Sequence, residues 1–369
     1  MNKKIIVSVI SDLVTDQRVL KECSTLYSLG YQIILVGRKS TNTFGLSQLP
    51  YKVKRLWDPF GRGALMYGFF NFQLFFFLLF QRADILWAND LDTLLPNYLI
   101  ARLKKKKIIY DSHEYFLLTV AKKSSLRIFG IIERSIFPRL KNVLTVNASI
   151  KNVYEKMYKV PITVIRNVPF RNTAVEVVSL NPAHKEKRIL LMQGIGLNEN
   201  RGAEEAVEMM QFLPDLYILY FIGRGTILDK LKKMVEMLGL NSKVFFLGVL
   251  PYNTMMGYTR LAYLGLIFEK IDFNDEHRFS LPNKFFDYIK AGLPILSSKA
   301  DEIKKIIDQF NIGTFIEDFV PAHIAKQIIQ LDLQPGEYNL WKQNLITAAE
   351  VLNWENEEKK LVMFMEQLK

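Results

Sequence analysis

The chain has 369 residues, of which 49% are hydrophobic and 23% charged, so it is long enough for two globular domains and too apolar to be intrinsically disordered. Its single cysteine, Cys23, excludes an internal disulfide framework and favours a reducing compartment. The formal net charge of +12 suits an anionic partner, but no RNA-binding or helix-turn-helix motif accompanies it, so we expect no nucleic-acid partner.

The first apolar run, Ile5–Ile10, is too short for a secretory signal and ends at a polar Ser-Asp pair, so it predicts a strand. No stretch of the sequence reaches the roughly 18 consecutive apolar residues of a membrane-spanning helix. We therefore expect a cytoplasmic protein.

Short apolar segments alternate with helical segments through the first half of the chain. A helix is predicted over Gln17–Leu29, because its periodicity ends at Gly30, a residue typical of helix ends. The predicted strands are Lys4–Ile10, Gln32–Val36, Ala83–Ala88, Lys107–Tyr110, Asn142–Val146 and Ile162–Ile165. This alternation predicts a parallel sheet that is covered on both faces.

A polar segment, Arg171–Lys187, interrupts this rhythm and is predicted to be a linker. The alternation then restarts, and the stretch Tyr338–Lys369 reads as purely helical. The elements predicted between them are strands over Arg188–Met192, Leu216–Ile222, Val244–Leu247, Leu264–Phe268, Ile295–Ser297 and Thr314–Ile316, and helices over Ala203–Phe212 and Leu228–Leu238. We predict a Rossmann-like domain over 1–170, a linker over 171–187, a second Rossmann-like domain over 188–335 and C-terminal helices over 336–369.

The segment Ser280–Pro294 has the features of a phosphate-binding helix. Pro282 suits the first helical position, and Gly292 suits the end of the helix. The backbone N–H groups of Asn283 and Lys284, together with the helix dipole, are expected to bind a phosphate.

Polar side chains of the same segment add to this prediction. Ser280 offers a hydroxyl and Lys284 a charge, and Asn283 and Asp287 share one helix face, where the acid is placed to accept ribose hydroxyls. The alternative is an ordinary capped helix with solvated polar residues.

These residues resemble a known family. Ser280–Tyr288 followed by Ala291–Pro294 resembles the donor-site helix of the retaining glycosyltransferase family four, the "group one" type with the GT-B fold. Further resemblances follow in the family's order, at Asn89–Pro96, Tyr110–Glu114, Gln193–Gly196, Asn200–Gly202, Ile222–Gly225 and Val244–Gly248. The N-terminal segments resemble a bacterial surface-polysaccharide subset.

The resemblance implies an α/β protein of two doubly wound Rossmann-like domains facing a central cleft, with C-terminal helices that cross back to the N-terminal domain. It implies transfer of a sugar, with retention, from a nucleoside-diphosphate sugar held by the C-terminal domain to a glycan or polyprenyl-linked acceptor at the N-terminal domain. No cofactor or metal is expected. The implied location is the cytoplasm, with peripheral binding to the inner face of the plasma membrane.

The resemblance also assigns site residues. The expected catalytic residues are His113, Asp287 and Arg201, and the last of these stands where the family has a diphosphate-binding lysine. The expected donor-binding residues are Gly194, Gly196, Arg201, Gly223, Gly225, Arg278, Ser280, Leu281, Pro282, Asn283, Lys284 and Asp287. Those expected on the acceptor side are Asp16, Arg18, Asp90, His113 and Glu114.

Two positions depart from the family pattern. Phe279 stands where the first acid of the family's acid-x7-acid motif falls, and Asp272, Asp275, Glu276 or the backbone around Ser280 are the candidate substitutes. The family's arginine partner to the diphosphate lysine is also missing near Ile195 and Gly196. Arg278 and Arg224 are the candidates to supply its charge.

Alternatives remain for the N-terminal residues. His113 is either a contact to the donor sugar, with Glu114 as its supporting partner, or a structural loop histidine. Asp16 is either a ligand contact or a helix cap, and Arg18 faces either the cleft or solvent. Asp90-Leu91-Asp92 matches a metal-binding tripeptide, but capping of a helix over Thr93–Leu103 is the preferred interpretation.

The segment Phe69–Phe80 contains seven phenylalanines and is followed, some twenty residues later, by the basic run Lys104–Lys107. Such a helix either docks on a membrane surface or is wedged inside the domain.

Two other functions fit the same fold, a nucleotide-sugar 2-epimerase and a nucleotide-sugar-binding protein without turnover. The sequence does not distinguish the donor base, the sugar, the acceptor or the oligomeric state.

Overall fold

The computed structural model describes residues 3–11, 13, 16–39, 48–61, 63–115, 123–273 and 275–368. The chain divides into two compact units, of which the first comprises Met1–Asn167 with Glu357–Lys369 and the second Val168–Asn356. Among the described helices, none combines the length and the apolar character that crossing a bilayer requires.

The first unit is built on a seven-stranded parallel sheet with the order β3-β2-β1-β4-β5-β6-β7. Its strands are β1 (Lys4–Ser8), β2 (Gln32–Arg38), β3 (Lys52–Leu56), β4 (Ile85–Asn89), β5 (Lys107–Ser112), β6 (Val143–Thr145) and β7 (Ile162–Val164). Its helices are α1 (Gln17–Ser28), α2 (Ala64–Phe80), α3 (Leu91–Lys104), α4 (Lys123–Ile136) and α5 (Ala148–Tyr158). The strand order reverses beside β1, where Ile5 lies between Ile33 and Ile85.

The second unit repeats this plan with a six-stranded parallel sheet of order β10-β9-β8-β11-β12-β13. Its strands are β8 (Arg188–Gly194), β9 (Tyr217–Gly223), β10 (Val244–Gly248), β11 (Leu264–Ile267), β12 (Ile295–Ser297) and β13 (Gly313–Phe315). Its helices are α6 (Ala203–Glu208), α7 (Leu228–Met237), α8 (Tyr252–Leu261), α9 (Asp275–Arg278), α10 (Asn283–Ala291), α11 (Asp301–Phe310), α12 (Pro321–Asp332) and α13 (Pro335–Val351), and α14 (Trp354–Gln367) begins here and ends in the first unit. The predicted class, α/β with two doubly wound Rossmann-like domains, is confirmed.

The sheets form because their strands are apolar on both faces. All five residues of β4 and all four of β11 are buried, as expected of parallel strands covered by helices on each side. In doubly wound sheets, ligands bind outside the carboxyl ends of the strands at the point where the order reverses. In these units that point lies between β1 and β4 and between β8 and β11.

Three features differ from the predicted elements. β3 was not predicted, because the alternation of Lys52, Lys54 and Arg55 with Val53 and Leu56 lacks an apolar run. The C-terminal stretch, predicted as helices over 336–369, begins at Pro335 and forms two helices, α13 and α14, which are separated at Leu352 and Asn353. The segment 171–187 lies wholly within the second unit and contains a short 3-10 turn, Pro182–His184.

Candidate functional site

Two glycine loops form the carboxyl edge of the second unit's sheet. Gly194 and Gly223 end β8 and β9 with φ angles of +135° and +132°, which L side chains rarely adopt. The loops touch through the backbone, since Arg224 N–H donates to Gly194 O at 3.2 Å and a Cβ on Gly223 would lie 1.8 Å from that oxygen. A Cβ on Gly225 would lie 1.9 Å from Leu197 O. At these three glycines the loops therefore present backbone to a ligand that binds above them.

Helix α10 starts one residue later than predicted. Pro282 is the N-cap in an extended conformation rather than the first helical residue, and the helix starts at Asn283. It ends at Gly292, whose φ is +69°. The amides of Asn283 and Lys284 belong to the first turn, where a helix offers its own N–H groups no acceptor. This end of α10 suits an anion.

A buried carboxylate joins two cations beside these loops. Glu269 follows β11 and is fully buried. Arg201 Nη1 donates to Glu269 Oε2 at 2.7 Å, and Lys284 Nζ lies 3.8 Å from Glu269 Oε1. A Cβ on Gly194 would lie 4.0 Å from Lys284 Cδ, so the cluster adjoins the first glycine loop. Two positive charges against one negative charge leave a net positive site.

The charge state of Lys284 depends on this cluster. Its side chain is only 10% exposed, and burial lowers its pKa, an effect that Glu269 opposes and Arg201 reinforces. An anion bound here would favour the charged form of the lysine.

Neither arginine predicted to supply the second charge lies in this cluster. Arg278 lies with its Nε 3.1 Å from Asp301 Oδ2, and its side chain is 55% exposed. Arg224 is exposed as well. Lys284 stands beside Arg201 instead, and Glu269 was missed altogether. The signal that would have found Glu269 is an acid directly after a fully apolar strand, at the ligand-binding end of a parallel sheet.

Asp287 lies one turn further along α10 and is 8% exposed. The hydroxyl of Tyr252, on α8, donates to Asp287 Oδ1 at 2.8 Å. Burial, with Asp287 adding to it, raises the pKa of Tyr252, so the phenol stays neutral and holds the carboxylate in place. Tyr252 was not predicted.

The segment that leads into α10 carries the remaining predicted contacts. Ser280 N–H donates to His277 O at 3.3 Å, and Leu281 connects it to Pro282. Phe279 lies under the guanidinium of Arg278, 5.9 Å from ring centroid to Cζ. The side chains of Asp275 and Glu276, candidates to replace the missing acid, lie outside the described residues.

In the first unit, His113 follows β5 within a group of polar side chains. Its Nε2 lies 3.1 Å from Asp111 Oδ2 and 3.1 Å from Asn89 Oδ1. Its Nδ1 lies 3.4 Å from Asp90 Oδ2, and its backbone N–H donates to Asp90 Oδ1 at 2.9 Å. The partners of the ring are these residues at the ends of β4 and β5, whereas Glu114 is exposed and accepts a bond from Ser112 through its carbonyl.

Arg18 faces neither a cleft nor solvent, since it is 1% exposed. Its Nε and Nη2 donate to both carboxylate oxygens of Asp111, at 2.9 and 2.8 Å, and its Nη1 donates to Ile165 O at 2.6 Å. Glu22 Oε1 lies 3.1 Å from the same guanidinium. Arg18 therefore supports the His113 group from within instead of reaching a ligand.

Opposing effects set the protonation of this group. Burial would lower the pKa of His113, but Asp90 and Asp111 outweigh it and raise the pKa to about 10. Burial likewise opposes ionisation of Asp111, but Arg18 and His113 hold its pKa well below the usual value. Burial also raises the pKa of Asp90, an effect that His113 opposes. At neutral pH the site therefore contains an imidazolium beside the ionised Asp111.

The tripeptide Asp90–Asp92 does not act as predicted. α3 begins at Leu91, not Thr93, and its N-cap Asp90 makes no side-chain capping bond because that carboxylate faces His113. Asp90 also holds a φ of +59°, uncommon for a residue with a side chain. Asp92 is buried, and Asn71 Nδ2 donates to its carbonyl at 2.7 Å. The carboxylate of Asp90 thus contacts His113, whereas Asp92 is buried inside the unit.

The remaining acidic groups are engaged too. Asp16 caps α1, since its Oδ1 accepts a bond from Val19 N–H at 3.2 Å. Ligand atoms of Glu22, Asp111 and His113 lie within 4.8 Å of one another, but the guanidinium of Arg18 already binds Asp111 through both oxygens.

Residues 17–168 match the family described as Glycosyltransferase Family 4, and residues 179–347 match the family described as Glycosyl transferases group 1. No curated protein matches the sequence.

Solved structures share its fold over nearly the whole chain. Sucrose-phosphate synthase from Thermosynechococcus elongatus is 14% identical with a TM-score of 0.78, over 100% of this chain and 99% of that one. Anabaena HepE in complex with UDP-glucose is 11% identical with a TM-score of 0.77, over 99% and 100%. WaaG, a glycosyltransferase involved in lipopolysaccharide biosynthesis, is 14% identical with a TM-score of 0.65, over 98% and 99%.

Proposed function

Because the chain belongs to glycosyltransferase family 4 of the group 1 type, we propose that it transfers a sugar, with retention, from a nucleoside-diphosphate sugar to a glycan or polyprenyl-linked acceptor. The acceptor belongs to the assembly of a cell-surface polysaccharide. Support for this role comes from the resemblance of the N-terminal motifs, Asn89–Pro96 and Tyr110–Glu114, to that subset of the family.

The observation that carries the proposal is the pair Arg201 and Lys284 on Glu269, beside two backbone loops and a helix N-terminus. A guanidinium binds phosphate oxygens in bidentate geometry, and the first-turn amides of α10 add donors. The nucleoside diphosphate binds here, and Asp287 accepts hydroxyls of the ribose or the sugar. The complex of Anabaena HepE with UDP-glucose supports a uridine donor.

The chemistry requires stabilisation of the charge that develops on the departing diphosphate. Arg201 and Lys284 are fixed by Glu269 before the donor arrives, so little reorganisation is needed as that charge grows. Two cations at the diphosphate also make a divalent metal unnecessary, and we propose that the reaction proceeds without one.

His113 binds the transferred sugar or the acceptor as a charged hydrogen-bond donor through its Nδ1–H, which turns to the ligand from Asp90 Oδ2, 3.4 Å away. Its Nε2–H keeps its contacts to Asp111 and Asn89. An imidazolium whose pKa is about 10 does not accept a proton at neutral pH, so it is not the base for the acceptor hydroxyl. Asp287 is held by Tyr252. The proton of the acceptor hydroxyl then passes to the departing diphosphate itself. The diphosphate leaves from the same face of the sugar that the acceptor attacks, so the anomeric configuration is retained.

Donor binding is tested by the thermal stability of the protein in EDTA with UDP, GDP, ADP and their sugars. A ligand that binds only the native state at 100 times its Kd stabilises by about 2.7 kcal/mol. We expect one nucleotide to stabilise the wild type, and Arg201→Ala and Asp287→Ala to weaken its binding by roughly 10- to 100-fold. Lys230→Ala, which removes an exposed cation paired with Glu204, is the matched control.

Each outcome of this test is informative. Normal binding by both site variants would move the donor site elsewhere, and stabilisation that needs added Mg²⁺ would overturn the metal-free proposal. NMR of the bound sugar then separates the functions: transfer to an acceptor supports the proposal, conversion of the donor to its epimer without acceptor indicates a 2-epimerase, and binding with neither reaction indicates a non-catalytic protein.

A further inference from the structure

Helices α2, α3 and α4 lie side by side on the first unit and expose an apolar surface. α2 packs against α3 and α3 against α4, and Tyr67 of α2 contacts Phe129 of α4 edge-on at 5.5 Å. Large apolar side chains stand on the outer side of all three, and we call this surface the three-helix face. Its members are Leu65, Phe72, Phe76, Phe80, Leu95, Leu99, Leu103, Ile128 and Ile131.

Several apolar side chains of the three-helix face are more than half exposed. Phe80 is 77% exposed, Leu103 65% and Phe72 62%, although α2 also buries Phe70 and Leu74 in the core. One side of α2 therefore packs into the core, and the opposite side exposes apolar side chains to solvent. A contiguous apolar patch of this kind marks a surface that is covered in the working state.

The exposed charges around the face are predominantly positive. The three helices contain two acids whose side chains are described, Asp92 and Glu133, and both are buried. Burial raises the pKa of Asp92, and burial also raises that of Glu133, which favours their neutral forms. The three-helix face thus presents no exposed carboxylate among the described residues of these helices.

Cations frame the face instead. Six exposed arginines and lysines lie on the three helices or directly after α2 and α3. They are Arg82, Arg102, Lys105, Lys106, Arg127 and Arg134. Lys104 ties the two helix ends together by donating to Leu78 O and Gln81 O. One nearby exposed acid, Asp84, lies 3.2 Å from Lys106 and neutralises only that lysine.

A pocket of about 200 Å³ opens where the three helices meet. Ala64, Gly68, Leu95 and Ile128 contribute to its wall, so it is continuous with the face. An apolar cavity of roughly 150 Å³ already holds a benzene ring. The face can therefore receive hydrocarbon as well as lie against it.

We propose that the three-helix face docks this protein onto a bilayer that contains anionic lipids. Apolar side chains enter the acyl boundary while the framing cations bind lipid phosphates, the combination by which interfacial helices bind membranes. A protein partner or a second copy would need acids to meet these cations, and the face itself offers none. The inference stands independently of the proposed sugar transfer.

The chain carries its own reporter for this surface. Of its four tryptophans, Trp87, Trp341 and Trp354 are buried, whereas Trp57 is 59% exposed and contacts Phe69 of α2 at 5.9 Å. Membrane docking moves Trp57 toward an apolar environment. Its emission should shift to the blue on addition of vesicles.

The test is flotation of the full chain with vesicles of equal parts phosphatidylglycerol and phosphatidylcholine, and with vesicles of phosphatidylcholine alone. We expect binding to the anionic vesicles, weakened by 0.5 M salt, and a blue shift of Trp57. F72S/F76S removes two exposed rings that contact each other and should weaken partition roughly 10- to 100-fold without changing the melting temperature. M237S/L333S is the matched control, because both side chains are 77% exposed on the second unit.

Three results would overturn the proposal. They are an absence of binding to anionic vesicles, an equal loss in M237S/L333S, and a vesicle-free dimer, seen by analytical ultracentrifugation, that F72S/F76S dissociates. The last would assign the face to a second copy of the chain.

Discussion

His113 shows how a single side chain gains its properties from residues far along the chain. Arg18 binds both oxygens of Asp111 and keeps that carboxylate ionised inside the unit. The ionised Asp111, with Asp90, then keeps the imidazole charged. The support of the histidine is thus an arginine on α1 that does not touch it.

This arrangement makes stability depend on pH. The pKa of His113 is raised from 6.5 to about 10 in the folded protein, so its contribution is complete below about pH 6.5 and is lost as pH rises toward 10. Relative to His113→Gln, we expect the wild type's advantage in free energy of unfolding to shrink over this range, by at most about 1.4 kcal/mol per pH unit. Chemical denaturation of both proteins at pH 6, 8 and 10 measures it.

A constant difference between the two proteins over this range would show that folding does not raise the pKa of His113. His323→Gln serves as control, because that histidine is exposed and pairs with Asp318 on the surface of the second unit.

At this scale the sequence named candidate residues such as Arg201, Asp287 and His113, but it did not predict how their side chains are held. Arg201 and Asp287 stand in recognisable motifs. Glu269 and Tyr252 do not, because their partners are brought to them by the fold: Arg201 is 68 residues from Glu269. The orientation of Arg18 was equally hidden, since a charged residue buried against its partners looks the same in sequence as a solvated one.

At the scale of elements, the glycine loops are the most constrained part of the donor site. Gly223 combines a φ of +132° with a neighbouring carbonyl where its Cβ would lie. The close approach of the loops after β8 and β9 therefore requires a glycine here, as it does at Gly225.

We expect Gly223→Ala to destabilise the second unit by about 2–4 kcal/mol, because both backbone strain and a clash with backbone atoms must be relieved. Gly196→Ala is the control, since Gly196 lies in the adjoining loop after β8, lacks a positive φ and has open space at its Cβ position. Urea unfolding of both variants measures the difference. Equal stability of the two would show that the loops yield without cost.

The elements themselves were largely predictable where burial decides them. Strands such as Ile295–Ser297 are buried throughout, and the bounds of this strand were predicted as they stand in the structure. β3 was not predicted because it is the edge strand of its sheet. Apart from Leu56, its residues are exposed or only partly buried, so its sequence lacks the continuous apolar run of the central strands. The division between α13 and α14 has neither glycine nor proline to mark it, only Asn353, whose Oδ1 accepts a bond from Asn356 N–H.

At the scale of the molecule, the chain returns to its first unit at the end. Residues Glu357–Lys369 belong to that unit, although they follow the whole of the second. Glu358 accepts a bond from Thr25 of α1 at 2.7 Å, and Glu357 accepts one from Arg166 N–H at 3.0 Å. Helical periodicity predicted this segment as a helix, but nothing local says which sheet it covers.

This return predicts that a core substitution in α14 destabilises the N-terminal elements of the first unit. Leu361 is fully buried and Met363, on the same helix, is 54% exposed. Leu361→Ala should cost about 2–5 kcal/mol and raise hydrogen exchange in peptides from α1 and β7, while peptides from β8 to β12 stay protected. Met363→Ala should change neither. Exchange that rose mainly between residues 188 and 297 would contradict this expectation, because it would mean that the end of the chain stabilises the second unit. In that case a nucleotide would no longer raise the thermal stability of Leu361→Ala, since the unit proposed to bind it would be unfolded.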